Sequence, residues 1–211
     1  ALAELPEVEY EVGVPPKQFW NSKYVVIDLE YSDNKSVDCI GVSNAESDKV
    51  YIYLPSDLDM FGADFSAYSG ILGGHNFSSD LTHLGGIGIW NNNASIHDTM
   101  IHDKLKPDAP EKGFGLKWLV KKYYGIGGYE ARVHGCWERG EKPSLKDLCY
   151  YNACDVVGTK SLLDDQLSEK FVNQKTFDLA MKYIRPICDL MNNGIFVSQQ
   201  NLDKLDIETT N

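Results

Sequence analysis

Tyr24-Val25-Val26-Ile27-Asp28-Leu29-Glu30 is the stretch from which the rest of the 211-residue chain is read. Four apolar residues run together without a polar interruption, the pattern of a short strand covered on both faces. Side chains two apart on a strand point the same way, so Asp28 and Glu30 present their carboxylates to one side. Alone, the pair is better explained as two solvated acids at a strand end.

Working outward, residues 37–42 and 50–54 read as further strands, separated by the polar turn 44–49. Ile71-Leu72, ahead of Gly73-Gly74, reads as a fourth strand and Ser95-Ile96 as a fifth. Helical spacing then takes over. Residues 115–124 carry apolar positions at helical intervals, with Gly125 suited to the position just past the end. Ser144 and Asp147 form a capping-box start. Behind them Leu145, Leu148, Asn152, Val156, Thr159 and Leu163 trace one face of a long helix. Phe177, Ala180, Met181, Ile184 and Cys188 trace another, which Pro186 is expected to break or kink near Arg185. Residues 1–21 read as an irregular lead-in. Strands first and helices later predict an α/β domain.

Two further groups could carry chemistry. His75-Asn76-Phe77-Ser78-Ser79-Asp80 follows a strand and a glycine pair, predicting a helix start with Asn76 and Asp80 one turn apart. Capping by Asn76 or Ser78 explains the same residues. Tyr151 and Asp155 sit four apart on the long helix and share a face. Asp155 borders an apolar stripe, where a lone carboxylate is costly, so it requires a cation. Four clustered carboxylates repel; at ~4 Å and an effective dielectric near 20, each pair costs roughly 4 kcal/mol, so the cluster takes up protons or metal. All-oxygen ligands favour Mg²⁺ or Mn²⁺, and two such ions suit phosphodiester hydrolysis.

Composition narrows the function classes. Hydrophobic residues at 43% and twenty-four aromatics exclude a disordered chain. No apolar run approaches a membrane span. Five cysteines, odd in number and without C-x-x-C spacing, fit free thiols and a cytoplasmic setting. The net charge of −11 argues against a protein that coats long duplex nucleic acid. Residues 104–146 nevertheless hold ten Lys and Arg against five acids, so a +5 lip borders a remainder of −16. That asymmetry suits a phosphate-containing ligand, or simply a solvated basic surface.

Asp28-x-Glu30, then Asp80 after Asn76, then Tyr151-x-x-x-Asp155, resemble in order the three motifs of the DEDD 3′→5′ exonucleases, in their tyrosine-containing subclass. The likeness covers roughly residues 22–170. It implies a ribonuclease H-like fold, a mixed β-sheet flanked by α-helices. It also implies two divalent ions held by Asp28, Glu30, Asp80 and Asp155, with Tyr151 orienting a water. Leu29 and Asn76 take substrate-binding places by the same resemblance. Ser79 stands where many relatives have Phe, and Leu29 where polymerase members often have Thr. Finer features, Asp98-Thr99-Met100, residues 115–119 and residues 175–200, resemble the proofreading domain of family A (polymerase I-like) DNA polymerases.

The expectation is therefore a monomeric exonuclease domain over 22–173 and a helical connector over 174–211 leading towards a polymerase in the same longer chain, in a bacterial or phage-type replication context. Its expected substrate is the 3′ end of single-stranded DNA, released as 5′-monophosphates, with no membrane partner. An RNA-trimming enzyme similar to ribonuclease D, or a catalytically silent DNA-binding or structural module, remain alternatives. Phe77, Tyr31 and Tyr150 are candidates for base stacking; Lys117, Lys121, Lys122, Lys142 and Lys146 are candidates for backbone contacts.

Overall fold

The alternation begun at Tyr24 sets up two layers. The computed structural model describes residues 6–32, 36–109, 111, 113–169, 174–194 and 197–210. Six strands, β1 (Tyr10–Val12), β2 (Tyr24–Tyr31), β3 (Val37–Asn44), β4 (Ser47–Tyr53), β5 (Ile71–Gly74) and β6 (Ser95–Asp98), lie in the order β1-β4-β3-β2-β5-β6. β2 pairs antiparallel with β3 and parallel with β5; β3–β4 is antiparallel, while β1–β4 and β5–β6 are parallel. The sheet is mixed, and β2 is central to it.

Val25, Ile27 and Leu29 of β2 enter one apolar core with α1 (Leu58–Ala67), α2 (Ser78–Gly86) and α7 (Gln174–Asn193). Tyr24 and Val26 enter a second core, under α5 (Ala131–Glu138) and the long α6 (Leu145–Ser168). α4 (Leu116–Tyr124) packs outside α6, and Gly158 lets it approach. The short α3 (Thr99–Lys104) follows β6, and α8 (Gln199–Thr210) follows α7. Asp28 and Glu30, at even positions, thus face α6.

The predicted termini of α4 and α6 are present. Gly125 takes φ 71° at the α4 C-cap, and the Ser144 hydroxyl accepts the Asp147 N–H at 3.1 Å. Two expectations are corrected. Within the lead-in, Tyr10–Val12 forms β1 along β4, and Lys17–Asn21 forms a 3₁₀ turn whose Phe19 is buried; residues 1–5 lie outside the described residues. Tyr10 packs against the second core and Phe19 and Trp20 against the first, contacts that a local reading of charge and proline could not see.

Pro186 does not break α7, which runs unbroken from Gln174 to Asn193. Burial of Met181, Ile184 and Cys188 on one face holds it on the core. Arg185 anchors the same turn, donating from Nε to the Asn91 carbonyl at 2.8 Å and from Nη2 to that of Ala94 at 2.5 Å. Tertiary packing outweighs the lost helical hydrogen bond. Ile195 and Phe196 of the expected connector lie outside the described residues.

Candidate metal centre and its surroundings

Three of the four expected ligands converge. Asp28 and Glu30 on β2 and Asp155 on α6 bring carboxylate oxygens within 4.8 Å of one another. It is the one such group of His, Cys, Asp or Glu among the described residues. Asp80, near the start of α2, does not join it. The Asp80 carboxylate instead accepts the Leu29 backbone N–H at 3.1 Å, which ties α2 to the strand between the two β2 acids.

Lone acids do not assemble this way without cause, and the surroundings oppose their ionisation. Burial, then the Asp155 and Glu30 charges, hold the Asp28 carboxyl well above the usual range. Burial, then Asp155, pushes Glu30 up to about 8, and burial pushes Asp80 up to about 7. Asp155, 4% exposed, is also raised by burial, but Lys117, Tyr129 and Tyr151 act against the shift. Carboxylates pushed towards their acid forms at neutral pH are a set short of positive charge. Their chemistry, oxygen donors alone around a shared centre, fits Mg²⁺ or Mn²⁺. The residues present fit the expected ions.

Tyr151 is buried and lies one helical turn before Asp155 on α6. Burial and the nearby acids drive its phenol pKa upward, so it remains a neutral hydrogen-bonding group. Its ring meets Trp137 of α5 edge-on, with centroids 5.9 Å apart. A cleft of about 510 Å³ opens off Glu30 between Tyr31, Trp137, Lys142 and Leu148. Tyr31 and Trp137 are 43% and 46% exposed, and Tyr31 stacks on His83 at 4.1 Å.

Several assigned side chains are elsewhere. Leu29 is 6% exposed in the opposite core, because alternation along β2 turns it away from Asp28 and Glu30. Phe77 is fully buried in that same core. Both side chains are turned into the core rather than into the cleft beside Glu30. Tyr150, on α6 itself, packs against the second core and donates to the Pro6 carbonyl at 2.9 Å, so its hydroxyl end is tied to the N-terminal segment. Asn76 lies ahead of α2 rather than in it, exposed and at φ 54°. No side chain of Asn76 or Ser78 caps the helix. Lys142 pairs with Asp38 at 2.8 Å on the cleft rim; Lys121, Lys122 and Lys146 are exposed.

Three residues unassigned from the sequence hold the centre in shape. Asn152 donates from Nδ2 to the Asp28 backbone oxygen at 3.1 Å and to its Oδ2 at 2.8 Å. Tyr129 donates to Asp155 Oδ1 at 2.6 Å. Asp98, fully buried, accepts the backbone N–H groups of Asn76, Phe77, Met100 and Ile101 and so fixes the loop before α2. Asn152 was legible as a polar residue in an apolar stripe. Tyr129 lies in a loop with no periodic signal.

No protein-family model matches the sequence, and no curated protein matches it. Solved structures do share its fold. RNase D of Trypanosoma brucei superposes with a TM-score of 0.66 at 14% identity, over 85% of this chain and 72% of that one. NrnC of Brucella melitensis gives 0.65 at 16% identity, over 89% and 94%. RNase D of Escherichia coli, an exoribonuclease involved in structured RNA processing, gives 0.56 at 17% identity, over 83% of this chain and 46% of that one. The fold is the ribonuclease H-like one, a mixed sheet flanked by helices. The Brucella protein has been solved with bound Mg²⁺ and with pGG, and the Trypanosoma protein with RNA U12.

Proposed function

We propose that this chain is a divalent-metal-dependent 3′→5′ exonuclease that trims single-stranded 3′ ends to nucleoside 5′-monophosphates. The convergence of Asp28, Glu30 and Asp155 beside Tyr151, on the frame of RNase D and NrnC, carries the reading. Asp28, Glu30 and Asp155, with Asp80 in support, would hold two Mg²⁺ or Mn²⁺ ions. Such a pair activates the attacking water and stabilises the leaving oxygen in phosphodiester hydrolysis.

The protein's own groups do the positioning. Asn152 fixes the Asp28 carboxylate, and Tyr129 fixes that of Asp155. The neutral Tyr151 hydroxyl orients the attacking water. Tyr31 and Trp137, both well exposed at the cleft, offer stacking faces to bases near the 3′ end, and such stacking is tolerant of sequence. Asn76, exposed at the entrance to α2, contacts the substrate strand in this reading.

Two sugars compete. DNA, with proofreading for a family A polymerase in the same longer chain, rests on the likeness of residues 98–100, 115–119 and 175–200 to such domains. RNA rests on the fold shared with RNase D. A 3′-labelled DNA and RNA of one sequence should be digested with Mg²⁺, with EDTA, and by the Asp28→Ala, Glu30→Ala double variant. Loss of label only with metal and only in the wild type supports the exonuclease; faster RNA digestion sinks proofreading. Inert wild-type protein on both strands, with no Mn²⁺ uptake, would leave a binding module.

A further inference from the structure

We propose that the Lys117 ammonium is a built-in counter-cation of the acidic centre, which a divalent ion must displace from Asp155, so that Lys117 sets how tightly the site takes metal. The inference rests on the metal reading of Asp28, Glu30 and Asp155 and deepens it.

Lys117 is the second residue of α4, and its Nζ bonds Asp155 Oδ1. A cation in the first turn of a helix faces the positive end of the helix dipole, so α4 itself does not favour it there. The acids do. Among the described residues no other Lys or Arg forms an ion pair with Asp28, Glu30, Asp80 or Asp155. The side chain is 27% exposed, and its ammonium lies over the rings of Tyr151 and Tyr129, 4.2 and 5.0 Å from their centroids. Both faces add cation–π attraction, and Tyr129 donates to the same Asp155 oxygen. The ammonium therefore rests among the groups that a divalent ion would use.

A divalent ion held by the Asp155 carboxylate would lie within a few ångströms of the Lys117 ammonium, and in a partly dry site the two positive charges repel. A flexible four-carbon stem lets a lysine withdraw where a shorter group could not. With Lys117 in place, Asp155 is compensated and the metal-free chain tolerates its buried acid. Entry of a divalent ion then exchanges one positive charge for another instead of filling an uncompensated hole.

The test is Mn²⁺ binding by calorimetry, with thermal unfolding in EDTA, on wild type, Lys117→Met, Lys117→Gln and Lys117→Arg. Both neutral variants should bind Mn²⁺ about tenfold or more tightly than wild type, from removal of one competing charge. They should also unfold at lower temperature without metal, while Lys117→Arg stays near or below wild-type affinity. If Lys117→Met fails to fold without metal, Lys117→Gln, neutral but polar, must show the same tightening. Neutral variants that bind Mn²⁺ with wild-type or weaker affinity overturn the proposal and leave the metal reading intact. If no variant and no wild type binds Mn²⁺, the metal reading fails and this inference with it.

Discussion

Asn152 touches Asp28 at two points, its backbone oxygen and its Oδ2, so one amide sets both the strand and the rotamer of the acid. Groups that orient a metal-ligating carboxylate typically matter 10–100-fold in affinity or activity. Asn152→Ala should therefore lower exonuclease activity on the order of 10–100-fold, measured as initial rates at saturating Mg²⁺. An unchanged rate would mean that Asp28 is held by other means. Glu30→Gln makes the opposite point about stability. It removes a carboxyl that burial and Asp155 push up to about 8. At pH 8 the metal-free variant should be roughly 1–3 kcal/mol more stable than wild type in urea titrations, yet inactive. A loss of stability would contradict the account of mutual repulsion.

At the scale of elements, α6 lies close to the sheet because Gly41 has no side chain. Gly41 pairs with Asp28 across β2 and β3. A Cβ there would collide with Asn152 Oδ1 and come 2.7 Å from Val156 Cγ2. Gly41→Ala should cost about 1–3 kcal/mol by lifting α6, and weaken Mn²⁺ binding because Asp155 moves with the helix. Unchanged unfolding and binding would show that α6 has room. α7 allows a test in the other direction. Pro186→Ala restores a backbone donor inside an unbroken helix, at an exposed position, and should raise stability by roughly 1–3 kcal/mol. The same two helices show what the sequence could and could not reveal. The capped start and apolar stripe of α6 are local, so its position and its acid were readable. The continuity of α7 depends on Arg185 reaching Asn91 and Ala94 across the fold, and no local rule contains that contact. The burial of Leu29 and Phe77 is unreadable in the sequence for a related reason. Resemblance singled out Leu29 and aromatic character Phe77, while the pleat of β2 and the packing of α2 decide which way they face.

For the whole molecule, protons and metal compete, and the sign follows from the shifts. Glu30 and Asp80, raised to about 8 and about 7, are protonated in the folded chain where the unfolded chain is ionised. That contribution is fully present below the unfolded values and is lost as pH rises through about 7 to 8. His75 and His97 act oppositely: burial lowers both to about 4, so the unfolded chain binds their protons first and stability falls as pH drops below about 6.5. Between about pH 4.5 and 6.5 these opposing slopes cancel, so thermal unfolding of metal-free protein in EDTA should show a plateau there and a fall above about pH 7. Mn²⁺ binds the ionised acids, so its stabilising shift should be larger at pH 8 than at pH 6; equal shifts would separate metal from the carboxylates.

The most direct test of the central claim is a time course on a 5′-labelled single strand with Mg²⁺, resolved to single nucleotides. The account predicts a ladder that shortens one nucleotide at a time from the 3′ end, with nucleoside 5′-monophosphates accumulating. Internal cuts from the first time point, or full-length strands throughout in the presence of metal, would contradict it.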